Sequence, residues 1–190
     1  VLLIGPRQTG KTTLVTQCLK PDISYNFAKI ATKQRYEKNP ELLEKELETK
    51  LKSFETTPLV FIDEVQKIPA IMDVAQHLID DGKVQFILSG SSARKLKHGA
   101  TLNLLPGRVV NFTMTPLLFD ELPTPKPDID DLLIFGSLPG ILNEPDASSR
   151  EEDLYAYVST YLEEEVRLEA LVRNVGIFAR FLEIAAGENG

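Results

Sequence analysis

The sequence predicts an α/β protein in which helices wrap a parallel sheet, followed by a partial helical region. Two observations carry that expectation. Through the first 113 residues short apolar runs alternate with longer amphipathic stretches, the pattern of strand and helix units wound into a parallel sheet. After Thr113 the grammar changes: Pro116, Pro123, Pro125 and Pro127 crowd one stretch, and Gly136-Ser137-Leu138-Pro139-Gly140 makes a second break.

Five strands are expected in order, at Val1 to Ile4, Ser24 to Ala28, Leu59 to Asp63, Val84 to Ser89 and Arg108 to Thr113. The first and third are near-continuous apolar runs, as strands covered on both faces should be, so they are expected to be central. Helices are expected near Lys11 to Leu19, Glu41 to Phe54 and Ala70 to Asp80. Further on, Leu154, Tyr157, Val158, Tyr161 and Leu162 recur on one helical face, and Ile177, Phe178, Phe181, Leu182 and Ala185 repeat the pattern. Two apolar stripes so close to the end of the sequence call for a cover, either from the sheet domain or from further chain. The expected division is residues 1–122 for the sheet domain, 123–148 for a Pro/Gly-rich linker and lid-like segment, and 149–190 for the start of a helical accessory domain.

Composition narrows the function classes. With 190 residues, 43% hydrophobic and 26% charged, the chain is an ordinary soluble globular protein, and disorder, collagen and coiled coil are excluded. The longest charge-free stretches, Val109 to Phe119 and Leu132 to Asn143, fall short of the roughly 18 to 20 apolar residues of a membrane helix. A single cysteine, Cys18, makes no internal disulfide, and His77 and His98 lie too far apart for a local metal pair, which favours a reducing compartment. The net charge of −7 is unevenly spread: residues 1–110 hold 16 Lys or Arg against 12 Asp or Glu, and residues 111–190 hold 5 against 16. Mild positive charge suits an anionic ligand in the first region, whereas the acidic second region reads as a solvated face. The first residues already lie inside a strand pattern and the last break off after a helical one, so a longer native chain is expected.

The most specific signal is Gly5-Pro6-Arg7-Gln8-Thr9-Gly10-Lys11-Thr12, which fits G-x-x-x-x-G-K-[ST] between an apolar strand and a helix. Successive backbone N–H groups must turn inward around an anion, and glycine permits the angles and the close approach, which assigns Gly5 and Gly10. Lys11 supplies a flexible charge to the β- and γ-phosphates, Thr12 offers its hydroxyl to Mg²⁺, and Thr13 is expected near the α-phosphate. Arg7, Gln8 and Thr9 belong to the loop by position, with their side chains expected to face solvent rather than phosphate.

Leu59-Val60-Phe61-Ile62-Asp63-Glu64 is an apolar strand ending in two acids, the second half of a nucleotide site. Neighbouring strand residues point to opposite sides, so the two divide the labour: Asp63 as the Mg²⁺ acid and Glu64 as the group that orients the attacking water. A water-orienting acid favours hydrolysis over transfer to a small-molecule acceptor. At the end of the fourth strand, Ser89 and Ser91 are candidates to sense the γ-phosphate, and a plain Gly/Ser turn is the equal alternative. Arg94 and Arg108 are the candidate cations for reaching a γ-phosphate, from the same chain or a neighbour's. The run Leu88-Ser89-Gly90-Ser91-Ser92 stands after the acidic strand, which excludes a transporter-type signature, and the absence of an Asn-Lys-x-Asp guanine reader makes adenine the expected base. Cys18 and His77 read as helix packing residues, Pro127-Asp128 with Asp130 and Asp131 as a helix start, and Tyr155, Tyr157 and Tyr161 as core or interface.

Taken together, Gly5 to Thr13, Phe61-Ile62-Asp63-Glu64-Val65-Gln66-Lys67-Ile68-Pro69, Ser89 to Arg94 and Leu105-Pro106-Gly107-Arg108 resemble the prokaryotic AAA-superfamily ATPases that carry a C-terminal domain of unknown function. Tyr157 to Glu165 and Arg173 to Leu182 are similar to the opening of that second domain. The resemblance implies a P-loop sheet of order 5-1-4-3-2, ATP and Mg²⁺ as ligands, and a cytoplasmic protein. It matches Asp63 and Glu64 to the metal and water-activating acids and Ser89 to the polar sensor, where many relatives have Asn or Thr. The reading is an ATPase whose turnover moves a helical accessory domain. A slow ATP-dependent switch and, less well supported, a P-loop kinase are the alternatives. A protein or DNA client and self-association into a homo-oligomer are left open.

Overall fold

The computed structural model describes residues 1–91, 108–161 and 175–188. The chain divides into two compact units, Val1–Leu117 and Leu118–Gly190.

The first unit is built on five parallel strands, β1 (Leu2–Ile4), β2 (Ile23–Asn26), β3 (Leu59–Asp63), β4 (Gln85–Gly90) and β5 (Asn111–Thr113). Their order is β2-β3-β4-β1-β5, which is the expected 5-1-4-3-2 read from the other edge. Both β1 and β3 are interior, and they flank β4 at the middle of the sheet. Alternation along each strand sorts side chains onto two faces. Leu2, Val60, Ile62, Phe86 and Leu88 join the larger core, with Leu43 and Leu47 of α3 (Glu41–Leu51) and Ile71, Met72, Ala75 and Leu78 of α4 (Ile71–Asp80). Leu3, Phe61 and Ile87 point the other way and pack with Val15. Helices on both faces explain why β3 reads as an unbroken apolar run.

Between β1 and β2, α1 (Lys11–Leu14) runs on as a π-helical turn over Val15–Leu19, so the expected single helix changes its winding midway. A helix not expected from the sequence, α2 (Ile30–Lys38), follows β2. Only Tyr36 of its residues is buried, so the sequence carries no apolar stripe to reveal it. Tyr36 donates to Glu46 Oε2 of α3 at 2.6 Å, and Arg35 pairs with the same carboxylate. β5 begins at Asn111 rather than at Arg108.

The second unit holds α5 (Ile129–Phe135), α6 (Pro139–Asn143), α7 (Ala147–Tyr161) and α8 (Val175–Gly187). Asp128 caps α5 as expected, its Oδ1 accepting from the Ile129 amide at 2.6 Å. Pro139 opens α6, where a missing N–H costs nothing. Arg150 of α7 donates to the Glu144 carbonyl at 3.1 Å, stands 3.6 Å from Asp131 and lies over the Phe135 ring, which ties α7 to α5. Val158, Tyr161, Ile177 and Phe181 remain exposed, and so does Tyr155, which is therefore no core residue of this chain. Two further expectations are corrected: Cys18 is exposed, and His77 lies on the outer side of α4 near Glu44 and Asp81. No helix among the described residues is long and apolar enough to cross a membrane.

Candidate functional site

In a parallel α/β sheet, ligands sit beyond the carboxyl ends of the strands. The Gly5–Thr12 loop, Asp63, Glu64, Ser89 and Ser91 all collect at that end.

The loop leaves β1 wedged between its neighbours. The Gly5 amide donates to the Gly90 carbonyl at 3.3 Å, and the Met114 amide donates to the Ile4 carbonyl at 2.7 Å. A Cβ on Gly5 would stand 2.0 Å from the Met114 carbonyl oxygen, so glycine is needed here for a close backbone approach. Gly10 needs glycine for a different reason: its φ is +91°, and among the described residues only the Met114 side chain comes near. Gln8 also has positive φ, at +62°. These left-handed turns curl the loop before the first helical turn closes with the Leu14 amide on the Gly10 carbonyl at 2.8 Å.

Lys11 is buried, and its ammonium donates to the carbonyls of Gly5 and Pro6 at 2.8 and 2.5 Å. The loop's own oxygens thus fold the lysine across its mouth. Thr9 is also buried, its hydroxyl donating to the Pro6 carbonyl at 3.0 Å. It braces the loop rather than facing solvent, which corrects the expectation for that residue. Gln8, Thr12 and Thr13 are exposed, and Arg7 is partly buried.

Asp63 is the hub. It is 4% exposed, and three donors converge on it: Thr12 Oγ1 at 2.9 Å, Asn26 Nδ2 at 3.1 Å and Ser89 Oγ at 2.5 Å. Asn26 ends β2, Ser89 stands near the end of β4 and Thr12 lies in α1, so one carboxylate ties two strands and the helix after the loop to β3. Ser89 is fully buried within β4, which excludes the plain-turn reading for it. Its one hydroxyl proton is spent on Asp63, which makes it a support of the acid. Asn26 also accepts from the Ala28 amide at 2.8 Å, closing the turn after β2.

Glu64 takes a left-handed conformation, φ 58° and ψ 43°, which swings it out of the strand and away from Asp63's direction. Its Oε2 accepts from Gln66 Nε2 at 2.7 Å, and the same nitrogen reaches Ser91 Oγ at 3.0 Å. Arg108 lies elsewhere. It precedes β5 and pairs with Asp80 at the end of α4, beyond the amino-terminal rim of the sheet, and so turns away from the loop within this chain. Arg94 lies outside the described residues, as does the stretch Leu105 to Gly107.

Three site residues were missed by reading the sequence: Asn26, Gln66 and Met114. The strand order implied by the resemblance already sets the end of β2 beside the end of β3, so Asn26 was within reach. The donor set suits a small hard cation. The Thr12 hydroxyl and the Asp63 carboxylate are oxygen ligands of the kind Mg²⁺ takes, already side by side. No group of three or more His, Cys, Asp or Glu side chains capable of holding a metal occurs among the described residues.

A curled glycine loop between strand and helix, with a buried acid on its threonine, defines a P-loop nucleotide-binding protein of the ATPase type. Residues 1–123 match the family described as AAA domain, and residues 126–190 match a domain of unknown function (DUF8612). The chain belongs to the AAA-domain family. None of the curated proteins matches it. Among solved structures, C. elegans PCH-2 is similar at 15% identity and a TM-score of 0.46, over 63% of this chain and 36% of that one.

Proposed function

We propose that the chain binds ATP with Mg²⁺ and hydrolyses it, and that the γ-phosphate biases the arrangement of the helical region. The observation that supports this best is the 2.9 Å contact between the Thr12 hydroxyl and the Asp63 carboxylate, with Lys11 and Glu64 beside it. In this reading the main chain of Gly5, Pro6, Arg7, Gln8, Thr9 and Gly10 surrounds the phosphates. Lys11 exchanges its two carbonyl partners for phosphate oxygens, a stronger charge-assisted pairing. Thr13 lies beside the α-phosphate. Thr12 and Asp63 would hold Mg²⁺, which would supply positive charge to offset that of the phosphates. Glu64 accepts a hydrogen bond from the attacking water and aims it at the γ-phosphorus. Asn26 and Ser89 hold the Asp63 carboxylate in place. Motion of the helical region requires an interaction that differs between the ATP and ADP states.

A slow-turnover switch is the second reading, favoured by the pairing of Arg108 with Asp80 away from the loop. Lack of an arginine finger lowers turnover by about 10³ to 10⁵ in related chemistry.

The test is steady-state phosphate release from Mg·ATP, with bound nucleotide measured in parallel, for the parent chain, Lys11→Ala and Glu64→Gln. Turnover in the parent, ATP binding without turnover in Glu64→Gln and lost binding in Lys11→Ala are the expected results. Binding without turnover in the parent moves the switch reading ahead. No binding at all defeats both.

A further inference from the structure

Gln66 lies in the 3₁₀ turn Val65–Lys67 directly after β3, and it is 7% exposed. Its amide nitrogen donates to Glu64 and to Ser91, so both amide hydrogens are in use. A carboxylate only accepts, which fixes the nitrogen rather than the oxygen toward Glu64. The consequence is that Gln66 Oε1 is buried with no hydrogen-bond partner among the described residues. A side chain kept for packing alone does not need that orphan, since methionine fills similar volume without it. The backbone at Glu64 adds a second observation. A left-handed glutamate is held in a disfavoured conformation and needs contacts to keep it there.

Resting on the hydrolase reading above, we propose that Gln66 is a positioning residue: it holds the Glu64 carboxylate against Ser91 at the exit of β4 and so sets where that acid aims. The bond fixes one carboxylate oxygen and leaves the other for the water. Because Ser91 follows β4 directly, a movement at that strand end is passed through Gln66 to Glu64.

The experiment compares the parent with Gln66→Met, Gln66→Glu and Ser91→Ala in the full chain, measuring kcat, KM for Mg·ATP and the thermal midpoint. For Gln66→Met, kcat is expected to fall about tenfold or more with KM within about threefold, the signature of an interaction made in the transition state. The thermal midpoint is expected to hold or rise, because the orphaned oxygen is gone. Gln66→Glu sets a second carboxylate beside Glu64 and is expected to lose kcat at least as much. Ser91→Ala keeps the Glu64 bond and is expected to lose less, and it carries the test if neither Gln66 variant folds: a kcat loss at unchanged KM supports the coupling, and parental kcat overturns it. Parental kcat in Gln66→Met, or a kcat loss matched by a lower midpoint and a smaller folded fraction, overturns the positioning role alone. A parent chain with no turnover brings down the hydrolase reading with it.

Discussion

Replacing Gly5 and Gly10 separately by alanine tests the geometry of the loop, because the two glycines are required for different reasons. An alanine Cβ at position 5 lies 2.0 Å from the Met114 carbonyl oxygen, where real contacts stay above 3.0 Å. The end of β5 must therefore retreat by about 1 Å, and overpacking of that kind costs about 1–3 kcal/mol. The retreat also stretches the 2.7 Å bond from the Met114 amide to the Ile4 carbonyl, a further loss of about 1 kcal/mol. Gly5→Ala is thus expected to lose about 2–4 kcal/mol. At Gly10 nothing clashes, and alanine bears only the left-handed backbone, about 1–2 kcal/mol. Urea unfolding of the parent and both variants, read by circular dichroism, gives the two differences. Nucleotide affinity should fall for both. A Gly5→Ala chain less destabilised than Gly10→Ala, or one within about 0.5 kcal/mol of the parent, would refute the argument that β5 walls the loop.

Three further outcomes are expected. Ser89→Ala removes one of three donors from the buried Asp63 carboxylate. It should cost about 2 kcal/mol, seen as a thermal midpoint lowered by roughly 5 °C. Tyr36 is held above the usual tyrosine range, first by burial and then by its bond to Glu46. A raised folded value gives stability that is complete below about pH 10 and is lost as pH rises above it. Tyr36→Phe loses the bond to Glu46 and should be less stable than the parent at neutral pH, with the gap closing in alkaline denaturation curves. Arg108→Ala breaks an exposed ion pair with Asp80, so stability should change by less than about 1 kcal/mol. In dilute solution phosphate release should stay near the parent's, and a large drop would show that Arg108 acts across an interface.

The sheet was legible because its strands obey a local rule: apolar runs such as Leu59 to Ile62 are spaced by amphipathic helices. The loop and the acid pair were legible because their chemistry is written in consecutive residues. What escaped was settled by tertiary contact. The helix Ile30–Lys38 buries one tyrosine and shows no stripe. The winding change after Leu14 leaves no mark in the pattern Val15-Thr16-Gln17-Cys18-Leu19. The turn alternative at Ser89 arose because Ser-Gly-Ser is turn vocabulary, yet the strand continues to Gly90 and the Ser89 hydroxyl meets Asp63. Thr9 looked solvent-facing because polar side chains are mostly exposed, and only the curl of the loop brings the Pro6 carbonyl to it.

The left-handed backbone at Glu64 sets an evolutionary gradient. Asparagine or glycine relieves that conformation by about 1 kcal/mol, and neither carries an acid. As long as the acid is needed, selection must keep opposing the drift toward a more comfortable residue. In a gene copy released from that need, mutation toward Asn or Gly at this position is rewarded by stability at once. The residue found at position 64 is therefore expected to mark which descendants of this chain still rely on the acid and which have become passive binders.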